Sequence, residues 1–559
     1  MDSSKRDLAK LQTEHFDVLI IGGGISGAWL ALHCAQQGHK TALIEKHDYA
    51  SQTSSSSSKL LHGGIRYLQQ MQFGKVRESA IERAHYVYAA PHLSTPVPFA
   101  VPTYRDFQRS KYFLNCGMLA YRFLCFGENR LIDSAEQTLP PIRSISAPQL
   151  NQICDLSNED HTGAVVFYER HMSDSERMVL AILKTAQQLG AQIHNYVGAE
   201  NFIVEGNKVT GAQARDELGK EIFEIKSKLV INAAGPWIDN LNKDLAAAQN
   251  APSINGFAVG SHIITRQLAD HAIAITTKHQ SDAKIDRGGR HVFIIPWRGY
   301  SLIGTSYNDI ESPNNDIKLE SDHVKQLLEA INQGFPSAKL CRQDLVSGYS
   351  GLYILNTDNI QNTVYQGSGE YQVIDHAAAN SVDGLITALG AKFTTGRKLS
   401  ALTMKLVAKK LGTPYAIEKV RLQASQYSSF ADFSTQAQQR YAKRFSKRTI
   451  QHLLQVYGSQ LDDFVASLSR PELEAQIFAG QPDLLGQVHW AVINEQALRL
   501  DDVLFNRTSL GLLGITDEAI VKIAKQMAID LSWSEDFTEQ EIELVLKKIK
   551  DTKRALLGS

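Results

Sequence analysis

Three glycines near the start of the chain have the spacing of a loop that binds a dinucleotide. Gly22, Gly24 and Gly27 form a G-x-G-x-x-G motif between the strand-like run at 16–21 and a segment of helical spacing. Such glycines let backbone N–H groups approach a pyrophosphate, whose charge is favoured at the N-terminus of the helix. Glu45 ends the next strand-like run, where a carboxylate can accept hydrogen bonds from ribose hydroxyls. The pattern predicts a site for FAD or NAD, and its place close to the N-terminus favours FAD.

A run of serines follows Glu45 and leads into a second pair of glycines. Residues 53–68 read TSSSSSKLLHGGIRYL. Composition alone would make the serines a flexible linker, but the residues that follow them are typical of an ordered site. Small hydroxyl side chains and adjacent glycines allow the backbone to approach a large planar ring closely. We therefore expect an ordered segment here rather than a linker.

The elements that position these motifs are strand-like and helical runs spread over most of the chain. Two later strand-like runs, 229–234 and 385–389, lead into small residues. Three runs between them suggest an antiparallel sheet inserted between parts of the nucleotide-binding domain: 262–265, 291–297 and 301–305. From about Phe430 onward the pattern turns helical and strand signals fade, which predicts a separate α-helical domain.

Composition narrows the class of protein to a soluble globular enzyme. The 559 residues are 43% hydrophobic and 21% charged with a net charge of −1, which excludes a disordered or fibrous chain and argues against a dedicated nucleic-acid binder. The five cysteines are scattered without a CxxC motif, so we expect no disulfide framework, no metal site and a cytoplasmic protein. The longest uncharged apolar stretch is too short and too rich in glycine to span a bilayer, so any membrane contact is expected to be peripheral.

Taken together, these motifs resemble those of the FAD-dependent glycerol-3-phosphate dehydrogenases, the aerobic and mitochondrial type. The serine-rich segment that ends at Leu68 looks like that family's signature, and NAAGPW at 232–237 and GAKFTT at 390–395 follow in the family's order. Nine residues near the C-terminus resemble the family's helical cap: Glu495, Gln496, Ala497, Asp501, Asp502, Val503, Leu504, Arg507 and Thr508. The resemblance covers nearly the whole chain, from about residue 16 to residue 533.

The resemblance implies an α/β (α+β) fold with a Rossmann-like FAD-binding domain, an inserted antiparallel-sheet substrate domain and a C-terminal all-α cap domain. The expected boundaries are an N-terminal tail at 1–15, the FAD-dependent oxidoreductase module at 16–425 and the C-terminal helical domain at 426–559. Within the module, the FAD-binding parts are about 16–90, 160–240 and 345–425, and the substrate or cap parts are about 91–159 and 241–344.

The resemblance also implies a bound FAD, held by the motif positions of this sequence. The expected FAD contacts are Gly22, Gly24, Gly27, Glu45, Thr53, Ser54, Ser55, Ser58, Lys59, Leu60, His62, Gly63, Gly64, Ala234, Gly235, Gly390, Lys392, Phe393 and Thr394. Lys392 stands at the start of a helix, where its charge and the helix N-terminus together suit a developing negative charge on the flavin.

The reaction that the resemblance implies is oxidation of a secondary alcohol, with hydride transfer to flavin N5. We predict three catalytic residues: His262, Arg66 and Lys392. His262 is the candidate for the base that takes the hydroxyl proton, because histidine has a pKa suited to that work. Arg66 or Tyr67, beside the flavin segment, is the alternative. Arg66 and Lys392 are expected to supply positive charge, Arg66 toward an anion or developing alkoxide and Lys392 toward the reduced flavin.

The sequence departs from the family where the substrate phosphate is held. The family carries an arginine in a Ser-Gly-Val-Arg-Pro segment, whereas this chain has Tyr353 after Ser350-Gly351-Leu352. A second family arginine falls at Tyr365 in a looser alignment. Arginine forms bidentate bonds to phosphate, and tyrosine offers only one hydroxyl. Either other basic residues hold the phosphate, for example Arg66, Arg298 or Arg397, or the substrate is not glycerol 3-phosphate.

Five residues are expected to contact the substrate: Arg66, Tyr67, His262, Tyr353 and Thr394. The favoured substrate is sn-glycerol 3-phosphate, oxidised to dihydroxyacetone phosphate, with electrons passed to quinone. The first alternative is the same fold acting on another polyol phosphate, a hydroxy acid or a biosynthetic alcohol, because Tyr353 replaces the phosphate-binding arginine. The second alternative is a flavoprotein of assembly or regulation that has no turnover.

Two segments carry signals for a surface partner. Residues 111–126 are apolar and aromatic with interspersed charges, which suits either a membrane interface or a buried core helix. Five basic residues at helical spacing predict one charged helix face that would suit anionic lipid: Arg440, Lys443, Arg444, Lys447 and Arg448. Because the family passes electrons to membrane quinone, we favour peripheral contact with the cytoplasmic face of the membrane over nucleic acid, and a homo-oligomer stays open.

Overall fold

The computed structural model describes residues 6–132, 137–156, 160–243, 245, 254, 256–276, 291–310, 317–355, 370–390 and 392–558, with the side chain of Arg66 left outside that description. Tyr365 also lies outside the described residues. The described strands are β1 (His15–Ile21), β2 (Thr41–Ile44), β3 (Leu60–Leu61), β4 (Thr95–Thr103), β5 (Arg143–Ser146), β6 (Gly163–His171), β7 (Gln192–His194), β8 (Val197–Glu205), β9 (Lys208–Asp216), β10 (Ile222–Asn232), β11 (Gly256–Arg266), β12 (Ala272–Thr276), β13 (His291–Trp297), β14 (Tyr300–Gly304), β15 (Asn308–Ile310), β16 (Leu345–Leu355), β17 (Gln372–Asp375) and β18 (Leu385–Leu389).

The described α-helices connect and cover these strands. They are α1 (Leu8–Thr13), α2 (Ile25–Gln36), α3 (Ile65–Gln69), α4 (Phe73–Ala89), α5 (Lys111–Leu124), α6 (Ala147–Ile153), α7 (Ser175–Gln188), α8 (Asp239–Asn242), α9 (Ser321–Gly334), α10 (His376–Ala379), α11 (Gly396–Leu411), α12 (Phe430–Tyr441), α13 (Lys447–Tyr457), α14 (Leu461–Ser467), α15 (Leu485–Glu495), α16 (Asp517–Leu531) and α17 (Glu535–Leu557). A π-helical turn at Asp502–Arg507 lies between α15 and α16.

The first sheet is parallel at its centre, in the order β17-β18-β10-β1-β2-β7, with the β8–β9 hairpin attached to β10. Along β1, Val18 and Ile20 pack on one face with α2, and Leu19 and Ile21 pack on the other face with the hairpin. Both faces are covered, as a parallel sheet requires. The loops that follow β1, β2, β10 and β18 therefore meet at one edge of the sheet, which is where the glycine-rich and small-residue motifs of the sequence lie.

The second sheet is antiparallel except for the pairing of β12 with β4. Its order is β15-β11-β14-β13-β12-β4-β6-β3, with β16 paired to β11 and β5 paired to β6. The expected division between FAD-binding parts and substrate parts does not follow this sheet. The strands β3, β6 and β16 fall within the residues expected to form FAD-binding parts, but they belong to the second sheet. The serine-rich segment thus leads from the edge of the first sheet directly into the second.

The described chain from Phe430 onward is helical apart from turns, as predicted for the C-terminal domain, and part of it shares a core with the second sheet. Val488 of α15 and Ile520 of α16 belong to the same hydrophobic core as Ile264 and Leu302 of the second sheet. A smaller core joins α12 to α15 among themselves. The C-terminal helices are therefore packed against the second sheet.

Part of the segment expected to be an N-terminal tail is folded. Leu11 of α1 is fully buried, and the guanidinium of Arg6 donates to Asp216 at 2.6 Å. The expectation of a tail is wrong for these residues, because one apolar side chain and one ion pair hold α1 against the edge of the first sheet.

The predicted basic helix face is also wrong. α12 ends at Tyr441 and α13 begins at Lys447, so the five basic residues do not lie on one helix. Arg440 forms an ion pair with Asp462, and Arg444 forms one with Glu474 at 2.7 Å. Separately, none of the helices in the described part combines the length and the apolar composition needed to cross a bilayer.

Candidate active site

A cavity of about 1050 Å³ lies along the edge where the parallel strands of the first sheet end. This volume is at the upper limit of the roughly 300–1,000 Å³ that small-molecule sites occupy. The predicted cofactor contacts that line it are Gly22, Gly24, Glu45, Thr53, Ser54, Ser58, Leu60, His62, Gly64, Ala234, Gly235, Gly390, Lys392, Phe393 and Thr394. The predicted substrate contacts Tyr67, His262 and Tyr353 line it as well. The fold thus brings together motifs that the sequence separates by more than three hundred residues.

Four predicted cofactor contacts do not line this cavity: Gly27, Ser55, Lys59 and Gly63. The Lys59 side chain is fully buried, and its ammonium donates to Glu176 at 2.9 Å, so it faces away from the cavity. A Cβ on Gly63 would lie 1.9 Å from the Tyr121 hydroxyl, so this glycine makes room for protein packing. The side chain of Lys59, which was predicted to contact FAD, is thus buried in the protein and does not line the cavity.

The glycine turn after β1 has the shape of a pyrophosphate cradle. Gly22 has a φ of +112°, and a Cβ there would lie 2.6 Å from the carbonyl oxygen of Ala233. A Cβ on Gly27 would lie 1.9 Å from the carbonyl oxygen of Gly22. Only glycine fits both places, and the tight turn brings its backbone to the N-terminus of α2, where an anion is stabilised. The residues present therefore fit the diphosphate of a dinucleotide.

Glu45 lies beside this turn at the end of β2. Its carboxylate accepts hydrogen bonds from the N–H groups of Gly23 at 2.6 Å and His47 at 2.9 Å. Burial raises the pKa of the Glu45 carboxyl, while those two N–H groups act in the opposite direction. The carboxylate is thus fixed on the cavity wall, in the place where it was expected to meet the ribose.

The serine-rich run is held by specific hydrogen bonds, as expected of an ordered segment. The Thr53 hydroxyl donates to the carbonyl of Leu352 at 2.6 Å. The Ser54 hydroxyl accepts from the N–H of Ile25 at 3.0 Å, at the first residue of α2. Polar groups of this run therefore stand at the same helix end as the glycine turn.

His62 faces the cavity and is backed by a buried charged network that sequence reasoning missed. Its Nδ1 lies 3.9 Å from Glu169 Oε1, and its side chain is 32% exposed. Glu169 accepts from the Tyr121 hydroxyl at 3.0 Å and from the N–H of Gly63 at 2.9 Å, and it pairs with Arg83. Burial alone would raise the pKa of Glu169, but the charge of Arg83, the nearby His62 and the hydrogen bond from the N–H of Gly63 together lower it to about 2. An ionised carboxylate thus stands next to this imidazole.

His262 also reaches the cavity, but its surroundings differ. Its side chain is 3% exposed, and its Nε2 lies 2.9 Å from the Ser58 hydroxyl. The ring stacks on Tyr349 with 5.1 Å between centroids. Burial, with a smaller contribution from the charge of Lys59, lowers the pKa of His262 to about 3. This imidazole is therefore neutral and already hydrogen-bonded.

Lys392 and Tyr67, which are both predicted site residues, lie next to each other on the cavity wall. The Lys392 ammonium donates to the Ser79 hydroxyl at 3.0 Å and lies 4.2 Å from the centre of the Tyr67 ring. Burial lowers the pKa of Lys392 to about 8. The lysine is cationic at neutral pH and loses its charge as the pH rises through that value.

Tyr353, which stands where the resemblance implies an arginine, lies on the cavity wall. Tyr353 comes from β16, and its ring centre lies 6.1 Å from that of Tyr307. The Tyr353 ring stands near Gly260 of β11, where a Cβ would lie 3.1 Å from it. Among the described side chains, two lysines, Lys46 and Lys392, line this cavity, and no arginine does.

Two of the suggested substitutes for that arginine are engaged elsewhere. Arg298 donates to the carbonyl of Thr508 at 2.6 Å and pairs with Asp483. Arg397 donates twice to Glu82, at 2.8 and 2.7 Å. The expectation that either one binds a substrate phosphate is not supported, because neither lines the cavity and each already has a carboxylate partner.

One wall of the cavity comes from α5, which the sequence did not assign to the site. Five of its residues line the cavity: Phe113, Leu114, Cys116, Gly117 and Met118. Its other side is apolar and exposed, with Tyr112 84%, Leu119 70% and Phe123 79% accessible. The aromatic composition of residues 111–126 was the available signal. One side of this helix is buried, as expected of a core helix, and the membrane interface stays a prediction for its exposed side.

Comparisons with known proteins give matches over nearly the whole chain. The sequence model described as FAD dependent oxidoreductase matches residues 17–409, and the model described as C-terminal domain of alpha-glycerophosphate oxidase matches residues 418–538. A glycerol-3-phosphate dehydrogenase of Synechocystis sp. is 30% identical over 96% of this chain and 97% of its own length. The human mitochondrial glycerol-3-phosphate dehydrogenase is 30% identical over 98% of this chain and 75% of its own length.

Solved structures share the fold. The glycerol-3-phosphate dehydrogenase from Bacillus halodurans, complexed with FAD, has a TM-score of 0.76 at 25% identity and covers 99% of this chain and 98% of its own. The L-alpha-glycerophosphate oxidase from Mycoplasma pneumoniae, with FAD bound, has a TM-score of 0.51 at 16% identity over 71% of this chain and 95% of its own. These matches confirm the predicted fold class and FAD as the cofactor.

Proposed function

Because the chain belongs to the FAD-dependent glycerol-3-phosphate dehydrogenase family, we propose that it oxidises sn-glycerol 3-phosphate to dihydroxyacetone phosphate. The observation that carries the proposal is the pairing of His62 with an ionised Glu169 on the wall of a cavity shaped for a dinucleotide. Family membership makes the chain an oxidoreductase, which disfavours the alternative of a flavoprotein without turnover.

The residues that would hold FAD run from the glycine turn to the start of α11. Gly22 and Gly24 would face the diphosphate, Glu45 the ribose, and Lys392 the ring system. When bound, the flavin supplies the acceptor for the hydride that leaves the alcohol carbon. The cationic Lys392 would favour negative charge on the reduced ring, because the charge is buried and already oriented.

The proton of the substrate hydroxyl goes to His62 in this proposal, rather than to His262 as the sequence suggested. His62 is accessible from the cavity, and Glu169 stands behind it to stabilise the imidazolium. Arg83 keeps that carboxylate ionised and fixed. His262 is buried, bonded to Ser58 and of lowered pKa, which makes it a weak base but a suitable neutral hydrogen-bond partner.

A second candidate substrate is an alcohol without a phosphate. It is favoured by Tyr353 in the position of the family arginine and by the engagement of Arg298 and Arg397 with carboxylates. A phosphate dianion next to Tyr353 would lack the bidentate partner that arginine provides. If the substrate does carry a phosphate, Lys392 and Arg66 are the remaining candidate cations that could bind it.

The test is anaerobic mixing of the holoenzyme with a panel of alcohols, followed by the absorbance of the oxidised flavin. We expect glycerol 3-phosphate to bleach the flavin and glycerol to leave it oxidised. Bleaching by an unphosphorylated hydroxy acid or polyol, with glycerol 3-phosphate inert, would establish the second candidate instead. A flavin that no member of the panel reduces would contradict both.

Electrons leave for a membrane quinone in this proposal, through the wall formed by α5. This helix lines the cavity on one side and presents Tyr112, Leu119 and Phe123 to solvent on the other. Lys111 and Arg122 stand among these exposed apolar side chains, which suits an interface with anionic lipid. The surface of α5 thereby replaces the basic face that was expected on the C-terminal helices.

A single charge on this surface should separate lipid contact from flavin chemistry. We expect Phe123→Glu to reduce binding to vesicles of mixed anionic and zwitterionic phospholipid by at least about fivefold, with quinone-dependent turnover falling in step. Turnover with a soluble dye acceptor should stay unchanged. The matched control is Ile529→Glu on α16, where an isolated side chain is 60% exposed. Equal loss of binding in the two variants would remove α5 as the lipid-facing surface.

A further inference from the structure

The loop that follows Glu45 is fastened to the C-terminal helices by a buried carboxylate. Asp48 is 2% exposed and accepts from both terminal nitrogens of Arg507, at 2.6 and 2.9 Å. It also accepts from the side-chain amides of Asn506 at 2.8 Å and Asn195 at 2.9 Å. Four N–H donors occupy the acceptor sites of one carboxylate, so this contact is both charge-assisted and geometrically fixed.

The next residue of the loop is held from the same side. The Tyr49 hydroxyl donates to Gln496 Oε1 at 2.5 Å, and the carbonyl of Gln496 accepts from Asn195 at 3.0 Å. Tyr49 itself is 3% exposed. Gln496 and Arg507 both belong to the C-terminal residues whose pattern resembles the family's cap, and the reaction proposed above gives that pattern no role.

This fastened stretch lies directly behind the nucleotide end of the cavity. The N–H of Ala50 donates to the carbonyl of Gly23 at 3.2 Å, and the Tyr49 ring lies 3.1 Å from where a Cβ on Gly23 would stand. Gly23 in turn donates to Glu45. Seven residues of the loop line the cavity: Lys46, His47, Ala50, Ser51, Gln52, Thr53 and Ser54.

We propose that Arg507 is a positioning residue for FAD, which through Asp48 holds the loop of residues 46–54 in the conformation that binds the cofactor. Affinity for FAD then depends on the C-terminal helices, although among their described residues none lines the cavity. Removing the guanidinium leaves the Asp48 carboxylate buried without its charged partner, and the loop must move to solvate it. The inference rests on FAD as the cofactor and is independent of which alcohol is oxidised.

A second arginine provides the matched control. Arg342 also ties the C-terminal helices to the rest of the chain, donating to the carbonyls of Ala555 at 3.1 Å and Leu556 at 2.7 Å at the end of α17. It does not line the cavity or contact the loop of residues 46–54. Arg342→Ala therefore loosens the same helices without touching the flavin loop.

The experiment measures retention of FAD on dilution of the holoenzyme, by the rise of flavin fluorescence, together with Tm in excess FAD. We expect Arg507→Ala to raise the Kd of FAD at least about tenfold and Tyr49→Phe at least about threefold. In excess FAD, the Tm of both variants should be no lower than that of Arg342→Ala. Arg507→Lys keeps the positive charge but loses the paired N–H donors of the guanidinium. Its Kd for FAD should lie between those of the wild type and Arg507→Ala.

Two results would overturn the inference. One is a Kd for FAD within about twofold of the wild type in Tyr49→Phe and in Arg507→Ala. The other is an equal rise in Kd for Arg342→Ala, which would mean that any loosening of the C-terminal helices releases the cofactor. If Arg507→Ala does not fold, Arg507→Lys is measured in its place: a raised Kd for FAD supports the inference, and a Kd within about twofold of the wild type overturns it. The alcohol panel reports on the substrate separately, so failure here leaves that result unaffected.

Discussion

Replacing His62 by asparagine is expected to lower the rate of flavin reduction by about two to four orders of magnitude, which is the usual contribution of a general base. Asparagine fills a similar volume but cannot take the hydroxyl proton at the cavity wall. Glu169, held ionised by Arg83, would then have no imidazolium to stabilise. The measurement is stopped-flow bleaching of the flavin under anaerobic conditions, with the saturating rate separated from substrate affinity.

His262→Asn is the matched comparison, because both imidazoles line the same cavity. We expect it to reduce the rate less than about tenfold, since asparagine can retain a hydrogen bond to Ser58 and no proton transfer is lost. The FAD content of both variants is measured, so that cofactor loss is not mistaken for lost catalysis. If His262→Asn is the slower variant at full FAD occupancy, the base predicted from the sequence is the right one and the assignment to His62 fails.

The nucleotide end of the site could be predicted from the sequence because its determinants are local. A strand, a glycine turn and a helix follow one another within about twenty residues, and the turn tolerates only glycine at Gly22 and Gly27. Glu45 directly follows the next strand of the same unit. Parallel strands place their carboxyl ends at one edge, so Ala234 and Gly390 had to join them there.

The contact between His62 and Glu169 could not be predicted in the same way, because these residues meet through strand pairing. The antiparallel pairing of β3 with β6 brings Leu61 opposite Arg170, and this register sets Glu169 behind His62. The two residues are more than a hundred positions apart, and no spacing rule connects them. His262 was the more visible candidate because its strand was recognisable, but only the packing reveals that it is buried against Tyr349.

The prediction of one basic helix face was wrong, and the sequence itself contains the residue that rules it out. Ser446 stands in the middle of the five basic residues, and its hydroxyl accepts from the N–H of Thr449 at 3.1 Å, which is the bond of a helix N-cap. A serine followed by helical spacing marks the start of a new helix, so the periodicity should not have been continued from Arg440 through Lys447. Periodicity alone cannot show where one helix ends and another begins.

Tyr353→Arg is expected to lower the KM for phosphorylated alcohols by about 10- to 100-fold, the range of one charge-assisted hydrogen-bonded pair. Tyr353 lies on the cavity wall in the position of the family arginine, and its side chain is only partly buried. The introduced guanidinium can therefore keep water contacts when substrate is absent. For alcohols without a phosphate the KM should change little or rise, because no anion meets the added charge.

The controls for this substitution separate charge from shape. Tyr353→Phe removes only the hydroxyl, so a phosphate held by that hydroxyl would bind more weakly, whereas a phosphate held elsewhere would not be affected. Tyr353→Lys adds a point charge without the planar fork and should recover only part of the gain. If arginine leaves the KM for glycerol 3-phosphate unchanged, the phosphate does not reach position 353. The cation that binds it must then be sought elsewhere on the cavity wall, where Lys392 lies 4.2 Å from the centre of the Tyr67 ring.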